Sequence, residues 1–390
     1  MKRIRLFAVL ASVAVLGACA SAPIPPAQAP RYLFEDSAFE TPSRLVNAAE
    51  VFELSPAMQH YLEVEIRPQL RSMGVQRGLV DALRNKAQLQ IVYDTDSTRT
   101  AAEAFDARAG NCLSLVVMTA ALAKHLGLPT QYQAVTGQET WSRSGDLSIV
   151  NGHVSIVVAR RLIDHVALGD FDTQLRLDFG ALPAARGSRL HVVGENTIVS
   201  MFMNNRAAEA LVRDEVANAY AYAREAVLQD PSYAGAYNTL GVVYTRHGLV
   251  AAAERAYRHV LERDGSHLAA MFNLTRLLDG QGRTDEAAAW RSKLAQLEVE
   301  PPFHYFDLGR SAAQAGDFRT ARELILREMR RDPEYHEFHF WLAVALYGLG
   351  EVDQAREHLS TAMKNSTTRR EQSLYASKLQ RLTPAAVRNQ

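Results

Sequence analysis

Leu240-Gly241-Val242-Val243-Tyr244-Thr245-Arg246-His247-Gly248-Leu249-Val250-Ala251-Ala252-Ala253 returns in outline 34 residues later, and twice more after that. Four columns carry the period. Leucine stands at 240, 274, 308 and 342, and glycine at 248, 282, 316 and 350. Alanine stands at 253, 287, 321 and 355, and the small or short residues Gly241, Thr275, Gly309 and Ala343 form the fourth column. This pattern predicts paired helices. Small side chains let two helices approach, leucine fills the layer between them, and glycine relaxes the helix C-terminus at the turn.

Asp230-Pro231 and Asp332-Pro333 close two of the units, while Gly265 and Val299 depart from that ending. A 34-residue unit with these features resembles the tetratricopeptide repeat. Run backwards, the register puts Ala219 in the alanine column, so about five repeats are expected over residues 200–369. Leu374, Leu379 and Leu382 read as one face of a capping helix within 370–390, ending before Pro384. The resemblance implies an all-α solenoid that binds a protein or peptide in its groove. His304, His336 and His339 fall on different faces or helices and read as packed or solvated histidines, so no metal is assigned there.

At the other end, Lys2, Arg3 and Arg5 precede an apolar run, Leu6 to Leu16, too short to span a bilayer. It reads as a signal peptide over residues 1–18. Leu16-Gly17-Ala18-Cys19 resembles the lipobox of bacterial lipoproteins, which implies a lipidated Cys19 as first residue of the mature chain. The several acyl chains of such proteins anchor firmly, since each buried methylene contributes about 0.8 kcal/mol. By the same resemblance, Ala20 implies the outer membrane, with the protein facing the periplasm. Pro23, Pro25, Pro26 and Pro30 make residues 19–30 an extended tether. Lysine plus arginine equals aspartate plus glutamate, 43 each, and the chain is 47% apolar. That balance excludes a nucleic-acid-binding chain by charge, and no motif suggests a metal, nucleotide or other cofactor.

Residues 31–199 carry the candidate chemistry. Cys112 is the second of two cysteines, and with Cys19 assigned to lipid it is left as the one free thiol of an exported chain. Ser55-Pro56 signals a helix start, and Thr98 or Thr100 can cap a short helix through Ala104. Leu113, Leu115, Val116, Met118, Thr119, Leu122 and Ala123 predict a buried helix that Cys112 heads and Leu126-Gly127-Leu128-Pro129 ends. A helix N-terminus carries about half a positive charge, which suits a reactive sulfur. Short β-rich runs follow at Gln131 to Val135, Leu147 to Val150, His153 to Ala159, Gln174 to Phe179 and Leu190 to Val199. They predict an antiparallel sheet. Asp178 lies among apolar strand residues, where a carboxylate needs a partner, and His153 is the natural one.

The order Cys112, His153, Asp178, a helix-heading cysteine followed by two strand residues, resembles the transglutaminase-like superfamily of papain-like thiol enzymes over residues 85 to 185. The resemblance implies an α+β domain of helices plus antiparallel sheet. It makes Cys112 the nucleophile, His153 the general base and acid, and Asp178 the group that holds the imidazole tautomer. Asp170 and Asp172 are alternatives for the third role, and Tyr93 is a candidate oxyanion donor beside the Cys112 backbone N–H. Many members have an aromatic after the cysteine; here Leu113 follows it, and Val154 follows His153. Two functions stand. One is a lipid-anchored cysteine hydrolase, or transglutaminase-like peptidase, that passes an acyl group to water more than to an amine. The other is an inactive scaffold that recruits partners through its repeats.

Overall fold

The computed structural model describes residues 29–44, 47–85, 89–94, 97–136, 140–144, 147–160, 174–179, 189–297, 303–366 and 369–382. Cys19, Asp170, Asp172, Val299 and Pro384 lie outside them. The N-terminal part contains α1 (Pro56–His60), α2 (Arg67–Met73) and α3 (Val75–Arg84), followed by β1 (Val92–Tyr93) and α4 (Ala101–Ala107). Ser55 caps α1, its hydroxyl accepting from Met58 N–H, with Pro56 in the first turn. Thr100, and not Thr98, caps α4. Its hydroxyl accepts from Glu103 N–H while the Glu103 carboxylate accepts from Thr100 N–H, a reciprocal capping box.

Next come β2 (Ala109–Gly110) and α5 (Cys112–His125), then β3 (Thr130–Thr136), β4 (Thr140–Ser144), β5 (Leu147–Asn151), β6 (Val154–Ala159), β7 (Gln174–Leu177) and β8 (Arg189–Val193). Four strands form one antiparallel sheet in the order β7-β6-β3-β8. β4 and β5 make a separate hairpin, and β1 pairs with β2 in parallel. Val154-Ser155-Ile156-Val157-Val158 is β-branched at four of five positions and buried throughout, as a strand covered on both faces requires. Residues Leu113 to Ala123 of α5 are all buried as well, and the helix lies against β6 and β3. The run Leu190 to Val199 is not one strand. β8 stops at Val193, Gly194 turns the chain, and Ile198 and Val199 are core residues of a helix that starts at Glu195. Helical burial of Ile198, Met201 and Phe202 overrides the strand preference of the β-branched pair.

From there, five helix pairs follow: α6 (Glu195–Val212) with α7 (Val216–Gln229), α8 (Ala234–Arg246) with α9 (Val250–Arg263), α10 (Leu268–Gly280) with α11 (Thr284–Gln296), α12 (His304–Gln314) with α13 (Phe318–Met329), and α14 (His336–Gly348) with α15 (Val352–Asn365). A last helix, α16 (Arg369–Leu382), packs on α15. The turn glycines 248, 282, 316 and 350 all have positive φ, and the four alanines of the third column are fully buried. A Cβ at Gly241 would sit 2.5 Å from the Tyr257 ring, so that column is small because the partner helix is already there.

The leucine column breaks at one place. Leu240, Leu274 and Leu342 are buried, but Leu308 is 48% exposed. Leu308 stands on α12, where the stacking is interrupted: α11 and α12 do not pack as the other successive helices do. The apolar core divides at the same point. One cluster runs from Leu33 through the sheet to Leu294, and a second from Phe303 to Tyr375. In the capping helix Leu374 is 45% exposed; Tyr375 is the buried residue, with Leu379 and Leu382 partly buried beside it. The segment 29–44 also departs from expectation, since it lies on the repeats. Leu33 C=O accepts from Tyr244 Oη at 2.6 Å, Asp36 accepts from Tyr220 Oη at 2.7 Å, and the Phe39 ring stacks on Tyr220 at 3.9 Å.

Candidate functional site

Asn111 is the N-cap of α5. Its side-chain oxygen accepts from Ser114 N–H at 2.9 Å, which leaves Cys112 as the first helical residue, as its sequence position predicts. The parallel β1–β2 pair sets Tyr93 opposite Gly110, two residues before the cysteine. Gly110 is required here by proximity: an added Cβ would lie 2.7 Å from that of Ser114.

The sheet supplies the other two residues. Ile156 is opposite Leu177 in the antiparallel β6–β7 register, which carries residue 178 opposite 155. Residue 153 then shares a face with 178 on the diagonal, within reach of long side chains. His153 Nε2 and Asp178 Oδ1 are 2.7 Å apart. Arg176 donates to the other carboxylate oxygen at 3.1 Å and, through Nε, to Ser155 Oγ at 3.1 Å. Cys112 is close enough to the His153 ring to bear on its charge.

Charge follows from these contacts. Hydrogen bonding to Asp178, and next to Cys112, pushes the His153 imidazole up to about 10. Tyr93 is 37% exposed, yet desolvation of its phenol, together with the nearness of Cys112 and Asp178, raises its pKa. An imidazole between a thiol and a carboxylate can take the thiol's proton while the carboxylate fixes the ring. The fold thus brings Cys112, His153, Asp178 and Tyr93 to one place. Arg176 was missed by sequence reasoning, although its position two residues before Asp178 on one strand puts both on the same face. Asn111 was missed too, although asparagine directly before an apolar helix is a cap signal.

A second candidate site lies on the repeats. A cavity of about 280 Å³ sits between the first helices of two successive pairs, lined by Val242, Thr245 and Arg246 from α8 and by Asn273, Arg276 and Gly280 from α10. Asn273 donates to Asn238 at 3.0 Å across this gap. The three histidines weighed as ligands are separately engaged. His336 bonds Tyr375, His339 bonds His358 and the Pro333 carbonyl, and His304 meets the Tyr305 ring edge-on. Among the described residues, no group of three or more His, Cys, Asp or Glu is arranged to hold a metal. Nor, among those residues, is any helix long and apolar enough to cross a membrane.

Comparison with known proteins bears on the C-terminal part. The tetratricopeptide-repeat family model matches residues 238–297 and 306–368, leaving the same gap that divides the apolar core. No curated protein matches the sequence. Similar solved structures include YrrB, described as a TPR protein with an unusual peptide-binding site, at 20% identity over 46% of this chain and 92% of that one, TM-score 0.25. Pseudomonas aeruginosa pilF is 21% identical over 48% of this chain and 93% of its own, TM-score 0.29. A thermophilic TPR protein of Thermus thermophilus, TTC0263, is 16% identical over 46% of this chain and 99% of its own, TM-score 0.30. The family match and the helix pairs agree over these residues. The C-terminal part of this chain is built of tetratricopeptide repeats.

Proposed function

We propose that this protein is an adaptor that recruits a peptide or protein partner through its repeats. The observation that carries this reading is the cavity between α8 and α10, where Arg246, Arg276 and Asn273 edge an apolar floor. Guanidinium and amide groups beside Val242 and Leu277 suit an extended peptide with backbone carbonyls and acidic side chains. Leu16-Gly17-Ala18-Cys19 and the proline-rich tether support anchoring by lipid in a bacterial envelope, at the outer membrane facing the periplasm. Pull-down from envelope extract tests the reading. Partners held by the wild-type protein are lost when Arg246 and Arg276 are both changed to alanine.

One specific observation favours a second activity beside recruitment. His153 is bonded to Asp178 at 2.7 Å and lies beside Cys112 at the head of α5, an arrangement that suits acyl transfer through a thiol. In this reading the N-terminal part is transglutaminase-like. Cys112 attacks a peptide or amide carbonyl, His153 passes the proton to the leaving amine, and water releases the acyl group. Stoichiometric labelling of Cys112 by a thiol-directed electrophile, slowed in His153→Ala, supports it; an inert thiol leaves the adaptor alone.

A further inference from the structure

Glu195 of α6 meets Lys124 at the far end of α5 and Tyr132 on β3, but at the end of α5 that carries the cysteine the hydrogen bonds from α6 are made through Thr98. It is buried, and both of its backbone polar groups are gripped by α6, the first helix of the repeat part. Thr98 N–H donates to Glu209 Oε1 at 2.6 Å, and Arg206 Nη1 donates to Thr98 C=O at 2.9 Å. The Thr98 hydroxyl in turn accepts from Asn111 Nδ2 at 3.0 Å, and Asn111 is the cap of the helix that Cys112 begins. Arg99 N–H, one residue on, donates to Ser114 Oγ at 2.8 Å, and that hydroxyl donates back to Asn111 Oδ1 at 2.9 Å. The chain from α6 to the cysteine is thus Arg206 and Glu209, then Thr98, then Asn111. Burial is what makes it rigid. The Arg206 and Glu209 side chains are mostly shielded, and desolvation raises the Glu209 carboxyl, so its bond to Thr98 N–H is made away from competing water.

We infer that Glu209 and Arg206 are positioning residues, which set the Cys112 thiol from the repeat part through Thr98 and Asn111. The inference rests on the thiol reading above and deepens it, because a partner seated on the repeats would then bias the thiol through α6. None of these residues touches a substrate. The test is the rate of Cys112 alkylation by iodoacetamide across pH in the full chain, read by mass spectrometry of the Cys112 peptide, beside a urea unfolding curve. Glu209→Leu removes the acceptor and is expected to slow alkylation at neutral pH on the order of tenfold or more and to displace the pH profile. Glu209→Gln keeps an acceptor and is expected to restore most of the rate. Thr98→Val keeps both backbone bonds to α6, removes the hydroxyl that accepts from Asn111 and lies beside Glu209, and is expected to act in the same direction even where Glu209→Leu fails to fold. A reactive wild-type thiol with unchanged profiles in Glu209→Leu and Thr98→Val overturns the inference alone. A wild-type Cys112 no faster than a free peptide thiol overturns the thiol reading, and the inference with it.

Discussion

Changing glycine to alanine at two positions in equivalent helices should have opposite signs. In the middle of a helix alanine is favoured over glycine by about 0.8–1 kcal/mol. At Gly280, the last residue of α10, a new Cβ meets nothing within 4 Å. The substitution should therefore stabilise by about 0.5 kcal/mol, the lower end of the glycine penalty. At Gly241 the same atom lies 2.5, 2.7 and 2.9 Å from three atoms of the Tyr257 ring. Tyr257 is fully buried, and its hydroxyl is 3.1 Å from Thr245 Oγ1, so the ring cannot slide without losing that bond. Overpacking costs about 1–3 kcal/mol and the hydrogen bond about 1 kcal/mol, against about 1 kcal/mol gained in propensity, for a net loss of roughly 1–3 kcal/mol. Urea unfolding followed by far-ultraviolet circular dichroism measures both variants. Tyr257→Leu in the Gly241→Ala background should recover part of the loss, with a coupling of about 1 kcal/mol or more. A Gly241→Ala protein as stable as wild type, or strict additivity with Tyr257→Leu, refutes the close approach of α8 and α9.

His153 makes stability depend on alkaline pH. Its folded pKa, near 10 by contact with Asp178 first and Cys112 next, exceeds the unfolded value of about 6.5. Its contribution is therefore complete below about pH 6.5 and is lost as pH rises through about 10, so His153→Gln should flatten that part of the unfolding profile. His336 has the reverse sign. Burial lowers its pKa despite Glu371 nearby, so its contribution is complete above about pH 6.5 and declines in acid. Hydrogen exchange of α16, which His336 holds through Tyr375 at 2.9 Å, should quicken below that pH, and His336→Gln should remove the dependence. Thr100→Ala deletes one half of the capping box on α4 and should cost about 1 kcal/mol in the same urea assay.

The repeats were legible in the sequence because the physics that builds them is periodic. A turn that demands positive φ selects glycine at 248, 282, 316 and 350, and a close helix contact selects alanine at 253, 287, 321 and 355. Leu308 shows where periodicity stops being enough. Its column position is right, yet it is exposed at the point where α11 and α12 fail to pack as their counterparts do, which no feature of the leucine itself encodes. The candidate thiol site was legible for a different reason. A lone cysteine before an apolar helix, and a histidine and an aspartate in strand-like runs, are chemically conspicuous. What the sequence did not reveal was the register that puts 153 and 178 on one face, the Arg176 contact, or the α6 link through Thr98. Those depend on pairings between segments far apart in the chain. The run Ile198-Val199 misled for a local reason, since β-branched residues read as strand until a long buried helix claims them.

Partner recruitment through the cavity between α8 and α10 is tested most directly by capture with one altered surface and one altered thiol. Envelope proteins crosslinked to the wild-type chain should be retained by Cys112→Ala and lost by the Arg246→Ala, Arg276→Ala double variant. Equal capture by the double variant, with its fold intact by circular dichroism, would contradict a repeat-bound partner.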